Sequence, residues 1–382
     1  MNILIAPNSY KGSLTAFEAA SAIEKGVKRV FPSAKCIKVP LADGGDGTME
    51  IMARATGGKI RSAKVTGPLG NKIIAKYGIS GDHKTYFIEM AEASGLKLVQ
   101  KNKRNPMLTT TRGVGELIDL ALKNGAKKLV IGIGGSATND GGSGMARVLG
   151  FKLLKKDGTG IKDGGAGIVD LARIEGREAL SRFKNTEVIV ACDVTNTLCG
   201  KAGASRVFGP QKGATPKMVK VLDRTLFNYA KIIKRDLRIK TMGLKGGGAA
   251  GGLGAGLFAF TGAKLQKGIN IVMDVAGVEK KLKKADLVIT GEGQLDSQSL
   301  FGKVPVGVAL LAKRHKVPVL CIAGSIGDIK EEVYKTGISA VVTLVNGPVT
   351  LEAAMKNAST LLTGAAARTL KALKNIKTGN FR

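Results

Sequence analysis

Short apolar runs, each ending in a loop of glycine and polar residues and followed by an amphipathic stretch, recur along this chain. "NILIA" leads into "NSYKGSL", "KCIKVP" into "LADGGDGT", and "KKLVIG" into "IGGSATNDGGSG". "TEVIVA" and "ADLVIT" lead in the same way into "CDVTN" and "GEGQLDSQS". Continuous apolar runs read as strands covered on both faces. Strands that alternate with helices build a mostly parallel sheet, so the expected fold class is α/β. In such sheets ligands gather beyond the carboxyl ends of the strands. The polar loops fall there.

The intervening stretches carry helix punctuation. Thr15 and Glu18 form a capping box ahead of a helix whose apolar face includes Phe17, Ala20, Ile23, Val27 and Val30. "GELIDLALKNG" ends at Asn124-Gly125, a C-cap arrangement, and Pro305 opens "PVGVALLAKRH". Between about 60 and 100 the texture changes: "KVTGPLGNKIIAKYGIS" and "KTYFIEMA" read as short antiparallel strands. At 382 residues the chain exceeds one typical core. Two α/β domains are therefore expected, the second inserted into the first: 1–65 with 285–382, and 66–284.

The glycine count, 53, is about twice the usual share of roughly 7%, and the glycines come in bursts beside strands, which makes them loops rather than a repeat. A net charge of +31 raises the question of a nucleic-acid partner. The Lys and Arg residues form no single basic arm, aromatics are 4% and Trp is absent, so platforms for stacking bases are not expected. A Lys-rich solvated surface that favours small anionic substrates is the simpler expectation. No segment has the roughly 18 consecutive apolar residues of a membrane span. Cys36, Cys192, Cys199 and Cys321 lack metal or disulfide spacing. A cytoplasmic protein with reduced thiols is expected.

Only two histidines occur, His83 and His315, neither with a second ligand at metal spacing. A carboxylate or a lysine is thus the expected acid–base group. Asp43 and Asp46, Asp140, Asp193, and Glu292 with Asp296 all follow strands, where an acid can accept a proton or hold Mg²⁺ through water. Lys11, Arg112 and Lys303 lie in comparable loops and suit anionic oxygens. A lone Asp after a strand is usually a turn or cap. Several in one sheet, with cations among them, suit phosphoryl transfer. Two motifs compete. Residues 132–137, "GIGGSA", fit a dinucleotide fingerprint, with Asp157 at the place of a ribose-binding acid, which would make the chain an NAD-dependent dehydrogenase. Gly302-Lys303 does not make a Walker A, because Val304 stands where Ser or Thr is required. "KGGGAAGGLGAGL", residues 245–257, could hold phosphate on backbone amides or simply pack closely.

Taken together and in order, "APNSYKGSLTA", "ADGGDGT", "VTGPLG", "FIEMAEASGL", "TTTRGVGELI", "GIGGSATNDGG", "ACDVTN", "FGPQKGA", "GGGAAGGLGA" and "GEGQLDSQSLFGKVPVGVA" resemble the bacterial-type (type I) glycerate kinases over the whole chain. The resemblance implies a flavodoxin-like domain built from both chain ends, an α/β insertion, and a site in the cleft between them. It also implies phosphorylation of D-glycerate by Mg²⁺-ATP, with 2-phosphoglycerate as product. The chain departs from that family's common pattern at Asn8 (often Asp), Asp46 (often Glu), Thr197 (often Pro) and Gln294 (often Arg). Asn8 cannot accept a proton.

On this reading Asp193 is the expected base, with Asp296 the competitor, and Lys11 neutralises the transferred phosphoryl group. Ser9, Asp43, Gly44, Gly45, Arg112 and Lys303 are expected to bind substrate. Gly134, Gly135, Ser136, Asn139, Asp140, Gly247 and Gly248 are expected at the nucleotide phosphates, with Asp193 and Glu292 as Mg²⁺ ligands. D-glycerate and ATP are the expected partners, with a homodimer, no specific nucleic acid and no membrane.

Overall fold

The computed structural model describes residues 1–45, 47–297, 299, 302–329 and 331–378, so Asp46 lies outside the described residues. The chain divides into two compact units, one formed by Met1–Asp43 with Ile269–Arg382 and the other by Gly44–Gly268.

Among the described residues, the first unit holds a five-stranded sheet. Asn2–Ile5 lies between Lys35–Lys38 and Leu287–Leu295, with Val319–Ile326 and Ala340–Thr343 following outward. All pairings are parallel, and Ile3, Leu4 and Ile5 sit opposite Leu287, Val288 and Ile289. Counted within the unit, the strand order is 2-1-3-4-5, the flavodoxin-like doubly wound order. The Thr15–Glu18 capping box closes at the start of Ala16–Val30 as expected. Ile23 and Val27 of that helix pack with Ile3, Ile5, Leu362, Ala366 and Leu370 in one core cluster. The helix comes close to the long C-terminal helix because Gly26 has no side chain: a Cβ there would lie 2.5 Å from the Thr363 carbonyl oxygen.

The second unit's sheet has six strands among the described residues, in the spatial order Lys264–Gln266, Glu187–Ala191, Lys128–Gly132, Thr85–Glu89, Lys72–Ile79, Lys59–Thr66. The first four are mutually parallel; the last two join at one edge through antiparallel pairings, with only Lys72–Ile79 running against the rest. The antiparallel texture expected near 60–100 is therefore real, but it is the rim of a mixed sheet. Lys59–Thr66 packs here, not with the first unit, because all eight of its residues pair with Lys72–Ile79. The residues from 269 to 284 pack instead with the first unit. The helix Arg112–Lys123 ends at Asn124, with Gly125 in the left-handed region, as its sequence predicts.

Candidate functional site

Each unit gathers polar side chains beyond the carboxyl ends of its strands. In the first unit the cluster begins with the loop after Asn2–Ile5. Asn8 Nδ2 donates to Asp43 Oδ2 at 3.4 Å. Tyr10 is buried and its hydroxyl donates to the Ile322 carbonyl at 2.6 Å, which pins the loop across the sheet. Ser9 and Lys11 stand exposed on that loop. Opposite them, Leu287–Leu295 delivers Glu292, which is 5% exposed and accepts from Ser299 Oγ at 2.7 Å. Asp296 accepts from the Ser299 amide and faces Lys303 Nζ at 3.8 Å. Lys303 is the cap residue of Val304–Arg314.

Burial pushes the Glu292 carboxyl up to about 7; Asp43 and Asp296 add to the rise, while the Ser299 bond and Lys303 oppose it. The unit thus brings Asn8, Asp43, Glu292, Asp296 and Lys303 into one electrostatically coupled group. From its sequence Glu292 reads as one of several strand-end acids and as a Mg²⁺ ligand. Its buried, proton-holding character follows from the fold, which takes it out of water.

In the second unit Asp193 follows Glu187–Ala191. Its Oδ1 accepts the Gly268 amide at 2.9 Å, and a Cβ on Gly44 would lie 2.8 Å from Oδ2. Gly44 is buried and Gly45 exposed. Gly134 and Gly135 are also exposed, beyond Lys128–Gly132, and Gly135 takes φ +69°, where a side chain is strained.

Other expected site residues are committed elsewhere. Asp140 is fully buried; its Oδ2 accepts from the Thr111 amide and hydroxyl at 2.8 Å and from the Gly144 amide, and its Oδ1 from the Gly142 amide. Asn139 is also buried and donates to Ser205 Oγ at 2.8 Å. In this structure both brace the loop from within. Gly247 and Gly248 are buried as well, and a Cβ on Gly248 would lie 2.1 Å from the Thr197 carbonyl oxygen. Close packing accounts for them. Arg112 donates from Nε to Asp163 at 2.8 Å, and Arg147 pairs with the same carboxylate. Its guanidinium is engaged within the unit in this structure. Asp157 caps an exposed turn through Thr159, and no helix starts at residues 132–137, since the next one is Ser143–Val148. The dinucleotide reading needs a helix N-terminus there, so the geometry removes its basis.

Asp193 and Glu292 belong to different units, and no group of three or more His, Cys, Asp or Glu residues among the described ones is arranged to hold a metal ion. Mg²⁺ commonly takes one or two carboxylates and fills its remaining octahedral positions with water and substrate phosphate.

One residue given no role from sequence stands out. Lys212, in "FGPQKGA", is 2% exposed and donates to Ser136 Oγ and to the Thr138 carbonyl, each at 2.7 Å. Burial pulls its ammonium down to about 7, with Asp140 the opposing influence. A Lys between glycines in a short turn was the only local sign.

The sequence profile of the glycerate kinase family matches residues 3–374. The chain is 52% identical over 358 residues to the glycerate 2-kinase of Escherichia coli K12, covering 94% of each chain. It is 49% identical over 378 residues to a glycerate kinase of Bacillus subtilis 168, covering 99% of each. A crystal structure of a Salmonella typhimurium LT2 chain assigned as glycerate kinase 2 superposes with a TM-score of 0.90 at 50% identity, covering 99% of this chain and 100% of that one.

Proposed function

Because this chain belongs to the glycerate kinase family, we propose that it transfers the γ-phosphoryl group of Mg²⁺-ATP to the 2-hydroxyl of D-glycerate. The observation that carries the reading is the carboxylate and lysine group around Glu292, which offers a proton acceptor and a cation at the ends of parallel strands. The name of the Escherichia coli relative favours 2-phosphoglycerate as product.

In this reading the glycerate oxygen attacks the γ-phosphorus, its proton passes to a carboxylate, and the bond to ADP breaks. Phosphoryl transfer relies on positioning and charge neutralisation, so lysines near the phosphoryl oxygens matter as much as the base. Asp193 remains our choice of base, with Asp296 its competitor. Glu292 joins them, since a general base works best with a pKa near the working pH. Lys11 and Lys303 neutralise charge, and Ser9, Asp43, Gly44 and Gly45 contact glycerate. Mg²⁺ bound with the nucleotide would supply positive charge to its phosphates. Among the described residues no helix is long and apolar enough to cross a membrane; the cytoplasm is the proposed site of action.

An ADP-release assay with D-glycerate, ATP and Mg²⁺, combined with NMR of the product, tests this. Glycerate-dependent turnover to 2-phosphoglycerate is expected. 3-Phosphoglycerate would overturn the regiochemistry, and no turnover by folded protein would overturn the kinase. Asp193→Asn should lower kcat by roughly 10²–10⁴-fold. A smaller loss than that of Glu292→Gln or Asp296→Asn would move the base to the other unit.

A further inference from the structure

Lys212 has no ion-pair partner among the described residues; its bonds go to a hydroxyl and a carbonyl. Asp140, the carboxylate whose charge it feels, is occupied by Thr111, Gly142 and Gly144. A buried, unpaired ammonium lowers stability. A chain that only needed to fill this space would do better with an apolar side chain.

The lysine is held firmly where it is. It ends the turn Pro210–Lys212, and Gly213 follows at φ +90°, with its missing Cβ 2.3 Å from the Arg104 carbonyl oxygen. Neighbouring Arg104 has a buried Nε without a hydrogen-bond partner. A buried cationic donor without a partner is a group that an anionic oxygen would complete.

Both acceptors of Lys212 lie in the segment that carries the exposed Gly134 and Gly135. That segment is braced on its other side, where the Leu96 amide donates to the Gly135 carbonyl at 2.8 Å and the Ala137 amide to the Ser94 carbonyl at 2.9 Å. The exposed turn is thus a braced backbone surface, and the residues that follow it, Ser136 and Thr138, are held by Lys212.

We propose that Lys212 is a positioning residue for phosphoryl transfer: it fixes Ser136 and the Thr138 carbonyl, and its charge makes the Gly134–Gly135 turn a binding place for a phosphoryl oxygen. The inference rests on the kinase reading and adds to it a residue that does not itself reach solvent.

The test compares wild type with Lys212→Met and Ser136→Ala in the whole protein. Activity is compared on folded protein. Lys212→Met removes a buried ammonium but also leaves the Ser136 hydroxyl and the Thr138 carbonyl without their donor, so a modest fall in melting temperature is expected. Its kcat should fall about a hundredfold, the scale of removing one preorganised electrostatic group, while KM for D-glycerate changes little. Ser136→Ala should keep the melting temperature and lower kcat by a smaller factor. Unchanged kcat in Lys212→Met, or a loss confined to KM for glycerate, overturns the proposal while wild-type turnover keeps the kinase. If Lys212→Met does not fold, Ser136→Ala decides alone: lowered kcat supports the proposal and unchanged kcat overturns it. A wild type without glycerate-dependent ADP release sinks the kinase reading, and this one with it.

Discussion

Glu292 is squeezed between opposed influences: burial and two neighbouring carboxylates favour its protonated form, while Ser299 and Lys303 favour the anion. The balance leaves it titrating at about 7 in the folded chain against an ordinary value of 4.5. Between those pH values the native state holds a proton that the unfolded chain has released, so stability falls as pH rises through that window. The loss is on the order of 3 kcal/mol once the group is fully ionised. Glu292→Gln, a permanent stand-in for the protonated acid, should therefore melt several degrees above wild type at pH 8 and level with it at pH 4.5. A lower melting temperature at pH 8 would reverse the sign and refute the account. At this scale the sequence was informative about residue type and place, since Glu292, Asp296 and Lys303 do meet. It was silent about commitment. Asp140 and Arg112 looked as available as Asp193, but Asp140 is bonded to Thr111, Gly142 and Gly144, and Arg112 to an acid 51 residues away.

Local periodicity and caps were readable among the elements, because they depend on neighbours in the chain. The strand before Asp193, the Thr15 cap and the Asn124–Gly125 stop all lie where their residues predict. The purpose of the glycines was not readable. The stretches at 138–144 and 249–257 are a seam: the Gly141 amide donates to the Gly251 carbonyl at 3.0 Å, and a Cβ on Gly256 would lie 2.4 Å from the Gly141 carbonyl oxygen. Two glycine-dense segments more than a hundred residues apart carry no local sign that they meet. Their small residues read equally well as a phosphate cradle. The seam predicts a sharp contrast between two substitutions. Gly251 sits at φ +66° with its missing Cβ 1.9 Å from the Thr138 carbonyl oxygen, so Gly251→Ala should cost roughly 3 kcal/mol or more by strain and overpacking together. Gly262, at φ +70° with nothing within 4 Å, should cost about 1 kcal/mol as Ala. Denaturant midpoints of the two variants check this; equal losses would mean the seam can open.

Across the whole molecule, the net charge of +31 acts on whatever approaches it. Both proposed substrates are anions, and long-range attraction speeds their arrival but is screened by salt. kcat/KM for ATP should therefore fall as KCl rises from 20 to 300 mM, with kcat nearly constant; a flat profile would show that the surface charge plays no part in capture. The two-unit organisation was legible from chain length and from the change of texture near residue 60. The points where the chain passes from one unit to the other were not, because they depend on which sheet accepts an edge strand. Those points have a property of their own. Gly44 and Gly268 are the first and last residues of the second unit, and a Cβ on Gly44 would lie 3.3 Å from the Gly268 Cα, with Asp193 against both. Once the second unit has folded, the whole intervening stretch is, to the first unit, equivalent to a loop with already joined ends. The entropy of closing it does not grow with its length. New termini cut elsewhere in the second unit, with residues 44 and 268 linked directly, would leave that unit a permuted but closed body.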